Sequence, residues 1–160
     1  MTARLNLFGA PTATAAKAVG HFGTASRTLL AETTLPPAVL KLAVLRTSQI
    51  NGDAYATDVW SKNAAHAGES PVRIALVAAW REATVYSDAE RAALELAEQG
   101  ARIADASPGV TDEAWARAAE HYDEAQLADL VLLISLMNAT NRMSVIVRQP
   151  GGAYEPGRIG

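Results

Sequence analysis

Three groups of residues could carry chemistry in this chain. Lys41 is the lone charge in the apolar run from Pro36 to Leu45. On a helix it shares a face with Ala38, Leu42 and Leu45. An ammonium on such a stripe needs a partner, loses its proton, or reaches water along its own stem. The second group is the segment Ser48-Gln-Ile-Asn-Gly-Asp-Ala-Tyr-Ala-Thr-Asp-Val-Trp60, which carries two carboxylates and a phenol. Asp53 and Asp58 are five residues apart, so a helix puts them on different faces and they do not read as an acid–base pair. The third group is Asn138 and Asn141, one turn apart on the stripe of Leu127, Leu130, Val131, Ile134 and Val145. Buried amides must be hydrogen-bonded, so bracing of helix ends is their expected role. His21, His66 and His121 fall in separate segments with no i,i+4 partner, and neither a metal site nor a cofactor is expected. Cysteine is absent, which removes disulfides, thiolate ligands and every thiol mechanism from this chain.

The elements that must position these groups read as helices. Apolar residues recur at helical spacing and the alanine-rich composition favours helix over strand. A first helix is predicted from about Thr14 to Glu32. A second opens at Leu35-Pro-Pro37 and stops at Asn51-Gly52. A third runs from Asp53 to Gly68, and a fourth from Ser70-Pro71 through Trp80 with Ser70 as N-cap. A fifth starts at Ser87, whose spacing to Glu90 is that of a capping box. A short sixth covers Asp112 to Tyr122. The seventh begins at Asp123, with Gln126 three residues on, and its interior Leu130-Val-Leu-Leu-Ile-Ser-Leu-Met137 is apolar all round. Such a helix must be enclosed, either at the centre of the bundle or by another subunit. The tail from Gln149 to Gly160, rich in Gly and Pro, is expected to be ordered only if it packs on something. The fold class expected is therefore an all-α bundle of about seven helices in a single domain over residues 1–160.

Charge narrows the partners. The chain has 160 residues and a formal net charge of −3, and its 14 basic residues form no patch denser than Arg142 to Arg148. Nothing here attracts a nucleic-acid backbone or an anionic membrane surface. The N-terminal stretch lacks a basic and apolar leader pattern, and no window reads as the roughly 20 apolar residues of a spanning helix. A cytoplasmic location is the expectation.

The stretch Leu45-Arg46-Thr47-Ser48-Gln49-Ile50-Asn51-Gly52 resembles a motif of the alkylhydroperoxidase D-like (AhpD-like) or carboxymuconolactone decarboxylase family. That motif reads roughly Leu-Arg-x-Ser-Gln-Ile-Asn-Gly-Cys-x-x-Cys-x-x-x-His. The resemblance extends through Ala79-Trp80-Arg81-Glu82, Ser87 to Leu94 and Asn138-Ala139-Thr140-Asn141-Arg142, and covers roughly Leu5 to Tyr154. After Gly52 it breaks at the working residues. Asp53 stands at the first cysteine position, Ala56 at the second and Trp60 at the histidine; twelve residues before Asp53, Lys41 replaces the family's relay glutamate.

The resemblance implies an inherited pocket around Lys41, Asp53, Tyr55, Ala56 and Trp60, related to that of peroxiredoxin-type antioxidant enzymes. It also implies a homo-oligomer built from dimers, a trimer or hexamer. The family's mechanism needs a thiolate and a resolving thiol, and this chain has neither. The expected function is a non-catalytic binding or scaffold protein with a small-molecule ligand. The alternative is an enzyme of altered chemistry, with Lys41 as base or Schiff-base nucleophile and Asp53 as its orienting acid. Because glutamate has become lysine and a thiolate position has become aspartate, Lys41 and Asp53 are expected to meet as a salt bridge.

Overall fold

Five of the seven helices among the described residues begin where a side chain takes a free amide of the first turn. A computed structural model describes residues 2–158 and contains seven α-helices and no strand among them. Helix α1 is Ala13–Glu32, and the Thr12 hydroxyl accepts from the Ala15 amide. Helix α2, Pro37–Ile50, starts on proline and stops at Asn51, after which Gly52 takes φ +66°, a left-handed conformation that glycine adopts without a Cβ penalty. Helix α3 is Ala54–His66, and α4 is Pro71–Leu76. Helix α5, Asp88–Ala101, carries the expected capping box of Ser87 and Glu90. Helix α6 is Asp112–Ala119, and α7, Glu124–Val147, opens on a second capping box of Asp123 and Gln126.

Three local expectations change. The fourth helix does not run through Trp80, because the chain tightens into a 3₁₀ turn over Val77–Ala79. That turn sends the Trp80 ring into the core, where its indole N–H donates to Glu98 Oε2 at 2.8 Å. Ser70 occupies the N-cap position without capping, and its amide instead donates to the Glu69 carboxylate. The sixth helix ends at Ala119, short of the buried Tyr122, whose hydroxyl donates to the Ala89 carbonyl at 2.7 Å.

The bundle is built around α2, which packs on α5, α3 and α7. Its Leu42, Val44 and Leu45 enter one core with Val59, Trp60, Val77, Trp80, Leu94 and Met137. Val39 and Ala43 on another side enter a second core with Leu96, Leu127, Leu130 and Ile134. Leu42, Leu45, Leu94 and Leu130 are at most 2% exposed, a burial that favours folding by about 1.5–3 kcal/mol for each leucine.

The enclosed position expected for the seventh helix thus belongs to α2. Helix α7 covers only part of its girth, leaving Val131, Leu132, Val145 and Ile146 exposed. Of the stripe read from sequence, Leu127, Leu130, Ile134, Asn138 and Asn141 are buried, whereas Val131 and Val145 lie outside. Helix α7 also has the length and mean hydropathy, 1.6, to cross a membrane, contrary to the expectation that no segment does. It packs against α2, α5 and α1, and buries the polar Asn138, Asn141 and Ser144 against them as a core helix does.

Candidate functional site

The frame Leu45 to Asp53 turns the chain from α2 into α3, and what fixes that turn is a lattice of buried amides. Asn51 Nδ2 donates to Asn138 Oδ1 at 2.9 Å and to Asn141 Oδ1 at 3.1 Å. Asn141 Nδ2 in turn donates to Asp53 Oδ2 at 2.9 Å and to Ser48 Oγ at 3.4 Å. Asn138 Nδ2 closes the lattice on the Ile134 carbonyl at 2.9 Å. Bracing, the role expected of the two asparagines, is what they perform; the junction they hold belongs to other helices.

Asp53 is 2% exposed and has both oxygens engaged. Oδ2 accepts from Asn141, and Oδ1 accepts from the Ala56 amide at 3.0 Å as the N-cap of α3. A carboxylate at a helix N-terminus is favoured by the free amides there and by the dipole. Asp53 is therefore a structural cap.

The expected salt bridge between Lys41 and Asp53 is not formed. Lys41 lies roughly nine residues up α2 from its C-terminus, about 14 Å at 1.5 Å per residue. Among the described residues its ammonium reaches no carboxylate, and its one polar contact is the Pro37 carbonyl of its own helix at 3.5 Å. Of the three fates open to it, snorkelling along its stem is the one realised.

Beside Asp53 lies a cavity of about 140 Å³, lined among others by Asp53, Tyr55, Ala56, Trp60, Met137 and Ser144. Four of the five residues expected at the site thus line one space, and Lys41 does not. Burial, then the neighbouring Tyr154, Asp53 and Asp58, push the Tyr55 hydroxyl above its ordinary value of 10, so it stays a donor near neutrality. The lining contains no lysine, histidine or cysteine.

A second cavity of about 330 Å³ adjoins it between α1, α3 and α7, with Phe8, Ser26, Leu30, Tyr55 and Thr140 lining both. Phe8 stacks on Tyr55 with ring centroids 6.2 Å apart. Its segment is tied down where the Arg4 amide donates to the Val147 carbonyl at 2.7 Å. From the other end of the chain, the tail packs on α3 as its order required. Asp58 Oδ2 accepts from the Gly152 amide at 2.6 Å and the Tyr154 amide at 3.0 Å, and Lys62 donates to the Gly152 and Tyr154 carbonyls. At Gly151 a Cβ would come within 2.3 Å of the Ala54 carbonyl oxygen, so only glycine fits. Asp58 and Asp53 act separately, as their spacing indicates.

Sequence reading missed Phe8, Arg27 and Arg158 as site residues, because only the fold brings the two termini onto α1 and α3. It also missed Glu98, which joins the segments of the resemblance behind the pocket. Glu98 Oε2 accepts from Arg46 Nη2 at 2.7 Å and from Trp80 Nε1, while Arg81 pairs with Oε1 at 3.3 Å and stacks over the Trp80 ring. Burial alone would raise the Glu98 carboxyl; the hydrogen bonds from Trp80 and Arg46 and the charges of Arg46 and Arg81 outweigh it and hold the carboxyl below its ordinary value. A larger cavity of about 500 Å³ lies on that far side, but its Arg81 and Arg117 already pair with its Glu95. Opposite charges that cancel one another there leave the Asp53 side as the candidate site.

Comparison with known proteins fits this geometry. Residues 13–99 match the sequence model of the Carboxymuconolactone decarboxylase family. The uncharacterised protein YdfG of Bacillus subtilis is 44% identical over 105 residues, 66% of this chain and 70% of its own length. YnjA of Escherichia coli, also uncharacterised, is 34% identical over 111 residues, 69% of this chain and 59% of its own. In structure, the chain is similar to a protein of unknown function from Agrobacterium tumefaciens, named as a candidate antioxidant defence protein AhpD. The TM-score is 0.87 at 27% identity, over 96% of this chain and all of that one. The AhpD core of a peroxidase-related protein from Ralstonia eutropha shares the fold, with a TM-score of 0.71 at 17% identity over 86% of this chain and 72% of that one.

Proposed function

The chain belongs to the carboxymuconolactone decarboxylase family, and from that premise we propose that it is a non-catalytic, ligand-binding member that keeps the family's pocket without its thiol chemistry. The observation that carries this reading is the state of Asp53. At the position where the resemblance places a nucleophile stands a buried carboxylate fully engaged by Ala56 and Asn141. Next to it a mostly apolar cavity remains open. Carboxylate is a poor nucleophile towards an O–O bond, and a capped one cannot leave its partners without unwinding the first turn of α3.

The test is turnover of an organic hydroperoxide with dithiothreitol as reductant. The expected rate is that of the Lys41→Ala, Asp53→Ala double variant. A rate clearly above that control would defeat the reading.

The protein acts in this reading as a homo-oligomer. Support comes from α7, where Leu132, 54% exposed, and Ile146, 68% exposed, lie on one stripe with Ala128, Ser135, Ala139 and a single charge, Arg142, at alternating spacings of four and three. A second copy that covers this stripe would enclose the helix as its all-round apolar sequence demands. Sedimentation should give an oligomer that Leu132→Glu with Ile146→Glu converts to monomer; a wild-type monomer at micromolar concentration would overturn it.

A further inference from the structure

The outer cavity says what class of ligand the pocket would take, an inference that rests on the ligand-binding reading above. Its walls are Phe8, Val19, Phe22, Leu30, Tyr55 and Met143, an apolar and aromatic surface. Its only charged lining residues are two arginines, one from each end of the chain. Arg27, on α1, donates to the Thr24 hydroxyl at 3.1 Å and makes no ion pair among the described residues. Arg158, in the tail, pairs with Glu155 at 2.5 Å, both side chains being largely exposed.

Two guanidinium charges against one carboxylate leave the mouth with one positive charge in excess. No acidic residue lines the outer cavity, and the one in the inner cavity, Asp53, is already satisfied. An apolar body with a single anionic head matches both features. Guanidinium groups take a carboxylate through two parallel N–H donors, which fixes its orientation as well as its charge. A body of this kind would pass Phe22 and Phe8 and end against Trp60 and Met137, where the inner cavity is dry in character.

The geometry points to a binding site for an amphipathic monocarboxylate, an aromatic or medium-chain aliphatic acid, with its head at Arg27 and Arg158 and its body in the groove between α1, α3 and α7.

Titration calorimetry on the full chain tests this with two matched pairs, decanoate against 1-decanol and 2-naphthoate against 2-naphthalenemethanol. At low salt each acid should bind roughly tenfold more tightly than its alcohol, since a tenfold ratio is what one well-placed charge contact supplies. Arg27→Gln and Arg158→Gln should each reduce that ratio, and together remove it, with the alcohols unaffected. Both arginines are exposed, so circular dichroism should be unchanged in the variants. Rising salt should weaken only the acids. Alcohols that bind as well as the acids, with no response to either arginine, would overturn the assignment of the head group while leaving a ligand-binding pocket. Failure of all four compounds to bind would overturn the ligand-binding reading itself.

Discussion

The floor and the roof of the groove are built on opposite principles. The floor rests on a polar lattice of Ser48, Asn51, Asp53 and Asn141, of which all but the half-buried Asn51 are at most 2% exposed, and Asn51 Nδ2, Asp53 and Asn141 bond chiefly to one another and to Asn138. The roof is α1 and the segment before it. No residue of α1 is fully buried, Phe8 is 37% exposed, and Arg27 has no ionic partner among the described residues. A satisfied lattice in a low-dielectric interior is costly to disturb, whereas a partly exposed wall can change its side chains with little effect on stability. Asp53 is thus part of the scaffold, and the wall facing it is the side of the groove that is free to vary.

The difference is most severely tested by Asn141→Leu. It strands the Asp53 carboxylate and one amide proton of Asn51 together, and should cost about 3–4 kcal/mol in denaturant unfolding. A loss under about 1 kcal/mol would mean that the lattice relaxes and is not the floor described. Asp53→Ala should cost somewhat less, about 2–3 kcal/mol, combining a lost N-cap with an unpaired Asn141 amide. Asp53→Asn keeps an acceptor for the Ala56 amide but turns its own Nδ2 towards the Asn141 Nδ2 donor, so it should recover only the capping share of that loss; equal destabilisation by the two variants would show that the bond from Asn141, not capping, matters.

Behind the floor, the same frame can be titrated through Glu98. Its carboxyl has an ordinary value of 4.5 when unfolded and a lower one in the fold. The stability it contributes is therefore complete above about pH 4.5 and is lost as pH falls through the lower, folded value. Glu98→Gln should flatten the acid limb of the stability curve, leaving the share due to Glu90 and Asp58, which are lowered likewise. An unchanged acid limb would remove Arg46 and Trp80 as its cause. The smallest effect belongs to Lys41→Met, expected within about 0.5 kcal/mol because the ammonium contacts only a carbonyl of its own turn. A large loss there would restore the ion pair that the structure lacks.

Much of this protein was legible in its sequence where cause and effect lie within four residues. The capping boxes at Ser87 and Asp123, the stop at Asn51-Gly52 and the helices between them depend on side chains meeting neighbouring amides, and local spacing decides that. The frame Leu45 to Gly52 likewise carried the family resemblance. Spacing could not say which partner Asp53 takes. Charge complementarity pointed to Lys41, but a helix holds two residues of its own length rigidly apart, and the partner came from Asn141, 88 residues along the chain. Tertiary structure alone set Phe8, Arg27 and Arg158 around one groove, and made α2 rather than α7 the enclosed helix. Those outcomes depend on which surfaces close over which, and no local interaction in the sequence encodes them.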